Sequence, residues 1–203
     1  MKIKIILISI LSIVILFGVV LYFTYFSFLN KTTNIKNIPF THLNNGDLVF
    51  RRGRSTESYA VYLADKNAEF THLGIISIED KIPFVIHIVP DKNQLVKKES
   101  LKEFLKPKNA SEFAIYRSYF DKSLLDKVVQ EANSFYLKKY GFDNKYDLET
   151  DSKLYCTELV LKAFKNVGLS LKIKEKILNY GIGKHKILFP SEFTKAPIFK
   201  RII

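Results

Sequence analysis

The chain has 203 residues, 47% hydrophobic and 26% charged, which suits one folded domain with an attachment and excludes a wholly disordered chain. Lysine and arginine outnumber aspartate and glutamate by 32 to 20, and the resulting net charge of +12 raises nucleic acid or an anionic surface as partners. A single cysteine excludes an internal disulfide framework and a cysteine-rich zinc site, and neither a metal nor a cofactor is expected.

An uncharged amino-terminal segment predicts one membrane-spanning helix. Residues 5–29 contain no charge, and at helical rise they extend about 37 Å, enough to cross a bilayer. A cleaved signal peptide would have a shorter apolar region and a small-residue cleavage site, and a lipoprotein would need a nearby cysteine. The alternative of a buried core helix would need a larger protein around it. We therefore expect an anchor at 1–30, a polar linker at 31–44 and a separate domain at 45–203.

The basic residues around this segment bear on its orientation. Lys2 and Lys4 favour a cytoplasmic amino terminus, whereas Lys31 and Lys36 favour the opposite. A short basic leader before a long domain is typical of an uncleaved signal-anchor, so we expect the domain on the periplasmic or extracellular face. Without Lys2 and Lys4 the chain still carries +10, which suits anionic headgroups or envelope polymers. Its lysines are dispersed, so nucleic acid is not an expected partner.

Short strands are predicted in the first half of the domain. A turn at residues 44–47 leads into a strand at 48–50. Residues 71–78 and 84–89 are rich in β-branched residues and predict a hairpin. A short helix capped by Ser100 should precede a further strand at 114–116.

Two amphipathic helices are predicted in the second half. Apolar residues recur at helical spacing over 124–136, ending before Gly141, and over 156–167, ending before Gly168. Residues 172–203 are weakly patterned. The expected fold is a small α+β domain, with strands first and the longer helices later.

Cys156 opens the second of these helices, with Asp151 and Ser152 as candidate caps. A thiol at a helix amino terminus faces unpaired N–H groups and the positive end of the dipole, so its pKa should be lowered. The alternative is a buried structural cysteine, and the position of Cys156 in the apolar stripe supports it.

A nucleophilic thiol needs a base, and His72 and His87 both lie on the predicted hairpin. If its loop is 79–80, or 78–81, paired positions sum to 159 and the two imidazoles are directly opposed on one face. The alternative is two structural histidines. The combination of Cys156, His72 and His87 predicts a nucleophile with its base. In this interpretation His72 takes the thiol proton, His87 orients His72, and the backbone N–H of Cys156 binds the oxyanion.

Three ordered segments carry a resemblance to a known family: NGDLVF at 45–50, THLGII at 71–76 and LYCTELV at 154–160, supported by residues 142–147 and 190–193. Together they resemble the YiiX/YebB-like group of permuted papain-like cysteine hydrolases, circularly permuted relatives of the NlpC-type peptidoglycan peptidases. The resemblance covers roughly residues 44–200. It implies a papain-like α+β fold, in which a small antiparallel sheet packs against helices.

The resemblance also implies roles for individual residues. The family nucleophile falls on Cys156 and its base on His72. The polar third residue falls on His87, where members of the group often have glutamate. Tyr155 and Glu158 match motif positions and are expected to shape the site. His42 and His185 are expected to have no catalytic role.

The implied activity is hydrolysis or transfer at an amide or ester through an acyl-enzyme. The leading hypothesis is a membrane-anchored cysteine amidase or peptidase that cleaves an amide bond, with a peptide or peptidoglycan fragment as substrate. One alternative is an acyl-lipid hydrolase or acyltransferase of the same superfamily. Another is a non-catalytic module that binds an anionic envelope polymer and has an inert Cys156.

Overall fold

The computed structural model describes residues 2–30, 42–66, 68–150, 152–180 and 183–203. The helices are α1 (Lys2–Asn30), α2 (Thr56–Ala64), α3 (Leu101–Phe104), α4 (Lys122–Leu137), α5 (Cys156–Asn166) and α6 (Pro190–Thr194). The strands are β1 (Leu48–Gly53), β2 (His72–Glu79), β3 (Ile82–His87), β4 (Lys97–Ser100), β5 (Ala110–Ser118), β6 (Gly141–Phe142), β7 (Lys153–Leu154), β8 (Lys176–Tyr180), β9 (Gly183–Ile187) and β10 (Phe199–Arg201).

The domain is built on a six-stranded antiparallel sheet in the order β10-β5-β1-β2-β3-β4. Strands β6 and β7 form a short parallel pair, and β8 and β9 form a separate hairpin. The expected α+β architecture with an antiparallel sheet packed against helices is confirmed. The weakly patterned tail forms β8, β9, α6 and β10, none of which was predicted, because these elements are too short to show a period.

The amino-terminal segment is helical, as predicted. Within α1, residues 8–27 have a mean hydropathy of 2.3, and none of this stretch is buried against the protein. A helix of this length and composition is compatible with a membrane anchor or a signal sequence. Residues 31–41 of the predicted linker lie outside the described part of the chain, so the boundaries at 30 and 44 stay predictions.

Apolar residues cover both faces of the sheet. On one face, Leu73 and Ile75 pack with the buried sides of α4 and α5. On the other face, Ile76 and Val85 pack with α3, whose Phe104 is fully buried. The alternation of side chains along each strand therefore sends successive residues of β2 to different cores.

The turn at 44–47 is held by a buried carboxylate. Asp47 accepts two hydrogen bonds from Arg117, at 2.8 and 2.7 Å, and one from the backbone N–H of Asn44 at 2.8 Å. Gly46 has φ +79°, and a Cβ there would lie 2.9 Å from Leu125. Both observations explain why this turn requires Gly-Asp before β1.

The register of the β2–β3 hairpin differs from the prediction. Glu79 pairs with Ile82, so the loop is Asp80-Lys81, both with positive φ, and paired positions sum to 161 instead of 159. A two-residue turn of this kind matches the twist of the strands. His72 and His87 are therefore diagonal neighbours and not directly opposed. Because the shift is two residues, both still lie on one face of the sheet.

The helix starts are partly as expected. The side chain of Ser100 caps α3, which confirms that prediction. Helix α5 begins at Cys156 as predicted, but its N-cap is Tyr155, so the predicted caps are wrong. Ser152 lies three residues before Tyr155, and Asp151 lies outside the described residues.

Gly74 lets β3 approach β2 at the two histidines, so we expect Gly74→Ala to disrupt the hairpin. A Cβ there would lie 2.5 Å from Val85 Cγ1, 2.9 Å from the Ile86 carbonyl oxygen and 3.0 Å from His87 Cβ. Such overpacking costs about 1–3 kcal/mol, and thermal unfolding followed by circular dichroism should show a lower Tm.

Gly141→Ala is the matched control, because the nearest atom to its added Cβ, Lys153 Cγ, is 3.6 Å away. An unchanged Tm for Gly74→Ala would contradict the argument from close approach.

Candidate active site

Three elements bring polar side chains to one cleft of about 600 Å³. His72 is the first residue of β2 and Cys156 is the first residue of α5, and both line the cleft. Arg51 on β1 is directly paired with His72 and lies in the same wall. The backbone N–H of Leu73 interacts with the Cys156 sulfur, which places the thiol beside the start of β2.

A line of hydrogen bonds runs from His72 across the sheet. His72 Nε2 lies 2.9 Å from His87 Nδ1, and His87 Nε2 lies 3.0 Å from Glu99 Oε1. Lys97 is the direct partner of His87, so Glu99, two residues along β4, is its diagonal neighbour. Both links are thus diagonal contacts on the same face of the sheet.

The charge of Glu99 determines the tautomers of both histidines. Hydrogen bonding to His87, together with its positively charged neighbours, lowers the pKa of Glu99 despite desolvation, so the carboxylate is an acceptor. Neutral His87 then carries its proton on Nε2 and accepts at Nδ1, and His72 donates from Nε2. The Nδ1 atom of His72 is left with a free lone pair, and no described residue donates a hydrogen bond to it.

Phe104 and Arg51 surround the two imidazoles. The Phe104 ring centroid lies 5.6 Å from that of His72 and 4.9 Å from that of His87, and the Arg51 guanidinium stacks on Phe104 at 4.1 Å. Burial lowers the pKa of His87 to about 4, and burial with the nearby Arg51 charge lowers the pKa of His72 well below its usual value. Both rings are neutral at neutral pH.

The thiol of Cys156 is also neutral, contrary to the prediction of a lowered pKa. Part of the residue is accessible from the cleft, but surrounding protein atoms desolvate the sulfur and raise its pKa to about 11. Three backbone N–H groups lower the pKa of the thiol, those of Leu73, Thr157 and Cys156 itself. Burial therefore outweighs the helix amino terminus in the unliganded protein.

Tyr155 and Glu158 fix the start of α5. The backbone N–H of Tyr155 donates to Glu158 Oε2 at 3.2 Å, and the Tyr155 hydroxyl accepts from the Leu188 N–H at 3.2 Å. Glu158 is fully buried, and desolvation raises its pKa to about 7 despite an ion pair with Lys162 at 2.9 Å. Both side chains hold the backbone that carries Cys156, while their role in shaping the site stays a prediction.

The supporting sequence motifs form the cleft walls. The Tyr146 ring packs on Phe142 and Tyr155, at 6.2 and 5.2 Å between centroids. On the other side, Ser191 at the start of α6 donates to buried Asp65 at 2.7 Å, which ties α6 to the end of α2.

His42 is not part of this cluster. His42 is exposed, and only its carbonyl oxygen is engaged, by Arg117 at 2.6 Å. The side chain of His185 lies outside the described residues.

Sequence reasoning missed Glu99 and Arg51. Both sit in lysine- or arginine-rich runs that resemble solvated strands. Glu99 reaches the site only through the pairing of β3 with β4, which no sequence pattern predicted.

A cysteine at the start of a helix, beside histidines on an antiparallel sheet, is the arrangement of papain-like hydrolases. Residues 42–203 match the family described as permuted papain-like amidase enzyme, YaeF/YiiX, C92 family. The chain belongs to this family. Amidases are hydrolases, so the family is a family of hydrolases.

A solved structure supports the same fold. The protein described as metalloprotein yiiX from Escherichia coli O157:H7 superposes with a TM-score of 0.67 at 22% identity, over 79% of this chain and 96% of that chain. None of the curated protein sequences matches this chain.

The description of that relative as a metalloprotein prompts a test of the site for metal ligands. Among the described residues, no group of three or more His, Cys, Asp or Glu side chains is arranged to hold a metal ion. His72 Nε2 and His87 Nδ1 face each other at hydrogen-bond distance, which leaves no room for an ion between them. The donor set of the described residues does not fit a metal.

The raised thiol pKa predicts slow alkylation of Cys156 at neutral pH. The rate with iodoacetamide should increase about tenfold per pH unit, up to about pH 11, because only the thiolate reacts. His72→Ala should leave this profile nearly unchanged, since burial sets the pKa. Mass spectrometry of the full-length chain in detergent measures the rate at its single cysteine. A reactive plateau below pH 7 that disappears in His72→Ala would instead indicate a thiolate–imidazolium pair.

Proposed function

We propose that this protein is a cysteine amidase or peptidase in which Cys156 is the nucleophile and His72 the general base. The observation that carries the proposal is the hydrogen-bonded line His72–His87–Glu99, which ends in the same cleft as Cys156. Membership in an amidase family supports the same chemistry.

The first half-reaction begins from a neutral pair. Nδ1 of His72 takes the thiol proton as the sulfur attacks the substrate carbonyl carbon, so charge forms only during the reaction. The backbone N–H of Cys156 donates to the developing oxyanion. His72 then protonates the departing amine, and an acyl thioester remains on Cys156.

The second half-reaction regenerates the thiol. His72 removes a proton from water, which attacks the thioester carbonyl, and the proton returns to sulfur as the acid product leaves. His72 is positively charged in both transition states. His87 holds it in one tautomer, and the Glu99 carboxylate stabilises the added charge through His87.

Helix α1 bears on where the domain meets its substrate. We propose that α1 anchors the domain to a membrane through residues 1–30, with 31–44 as linker and the 45–203 domain on the extracytoplasmic face. The apolar, unburied surface of α1 supports this arrangement. Peptides of the cell wall are then the substrates that the domain encounters.

Replacement of Cys156 or His72 by alanine should abolish hydrolysis without unfolding the domain. The assay is amide cleavage in a panel of muropeptides by the full-length chain in detergent, with Tm as the check on folding. His42→Ala is the matched histidine control and should retain full activity, because the side chain is exposed and outside the cleft. An active Cys156→Ala protein would refute the mechanism.

Replacement of Glu99 by glutamine should lower kcat about ten- to a hundredfold with little change in KM. The neutral amide still accepts a hydrogen bond from His87, but it no longer stabilises a positive charge on His72. The pKa of His72 should therefore fall further, and the acidic limb of the pH–rate profile should move to lower pH.

Glu79→Gln is the control, since Glu79 is a carboxylate of the same sheet that is ion-paired with Lys98 and away from the cleft. A lower Tm for Glu99→Gln with an unshifted pH profile would reveal a purely structural role.

A second candidate function is hydrolysis of an acyl lipid. Helix α2 lines the cleft, and its Tyr59 contacts α1 through a 2.6 Å hydrogen bond to Thr24 and a 5.1 Å ring contact with Tyr25. The helix that forms part of the cleft wall thus also contacts the apolar α1, and this proximity would favour a lipid acyl chain. Cleavage of acyl lipids but not of muropeptides in the same assay would select this function.

A further inference from the structure

Arg51 carries a buried positive charge in the cleft and makes only part of its hydrogen bonds. The residue is 8% exposed, and Nη1 donates to the Phe104 carbonyl at 2.7 Å. The Nε and Nη2 atoms, which share one edge of the planar group, have no partner among the described residues. The adjacent Arg52, in contrast, is paired with Glu112 at 2.9 Å.

No carboxylate in the described part of the chain forms an ion pair with Arg51. Glu99 acts on it through space but is hydrogen-bonded to His87 at 3.0 Å. A buried charge without a partner is unfavourable, and a group of this kind in a cleft is a candidate for binding or catalysis. Burial lowers the pKa of Arg51 only to about 10, so the group stays charged at neutral pH.

We propose that Arg51 binds a free carboxylate of the substrate next to the scissile amide. The unpaired Nε–Nη2 edge carries two parallel N–H donors, which match the two oxygens of a carboxylate. This inference rests on the proposed function, since it names the class of substrate that the same cleft accepts: a peptide with a carboxylate close to the cleaved bond.

Binding of such a group also affects the base. The Arg51 charge disfavours protonation of His72, its direct partner across β1 and β2. A bound carboxylate compensates that charge, so His72 accepts the thiol proton more readily. The acidic substrate is thereby selected twice, in binding and in the attack step.

The test uses two alkylating reagents that differ in charge, iodoacetate and iodoacetamide, on the full-length chain in detergent. Cys156 is the only cysteine, so incorporated label reports on this cleft alone. At one pH the free protein offers both reagents the same thiolate fraction, so the ratio of the iodoacetate rate to the iodoacetamide rate reports what the carboxylate of iodoacetate does in the cleft. We expect this ratio to exceed that of the urea-unfolded chain by about tenfold, and to fall to the unfolded value in Arg51→Gln.

Two further variants separate Arg51 from a general positive field. Arg51→Lys keeps the charge but loses the paired donors and should give an intermediate ratio. Lys108→Gln removes an exposed cation of the same cleft and should leave the ratio unchanged. A wild-type ratio no higher than the unfolded value overturns the proposal, as does an equal fall in Lys108→Gln.

The outcome is separable from the proposed function. Alkylation requires no turnover, so a raised ratio with no hydrolysis of any amide would retain the carboxylate site and reject the amidase. Hydrolysis with an ordinary ratio would do the reverse. If Arg51→Gln fails to fold by circular dichroism, the wild-type ratio and Arg51→Lys still decide.

Discussion

Burial of two imidazoles against each other is the constraint on which the site depends. His72 and His87 lie under Phe104 with almost no contact with water, and each nitrogen that faces protein has one partner. In such surroundings a charge is costly unless it is paired. The pair is therefore neutral at rest, with Glu99 as the outer negative group. Glu99 fixes the tautomers of the pair, and burial keeps the resting thiol protonated.

The charges around this pair have opposite effects on protonation of the two histidines. Glu99 favours a proton on the histidine line, whereas Arg51 disfavours it. In our proposal the substrate carboxylate shifts this balance when it occupies Arg51, so the base becomes competent when the right substrate is present. Burial lowers the effective dielectric around these groups, so each of these interactions is stronger than it would be at the surface.

Much of the site could be predicted from local sequence. The turn at 44–47, the cap at Ser100 and the start of α5 at Cys156 each depend on residues within one turn of the chain. The prediction that His72 and His87 share one face of the sheet is correct although the predicted register was wrong. Side chains alternate between faces with a period of two residues, and the register error was two residues. Glu99 was missed because its neighbours in space come from strands whose pairing local patterns do not encode.

The sequence by itself determined the apolar amino-terminal helix, the family and the three residues Cys156, His72 and His87 as candidates, since each depends on residue identity and short-range spacing. Only the tertiary structure decided their ionisation states, the line of hydrogen bonds to Glu99 and the unpaired edge of Arg51. Those properties depend on how much protein surrounds each group and on which strand lies beside it. Burial and strand register are long-range consequences of packing, and no local pattern specifies them.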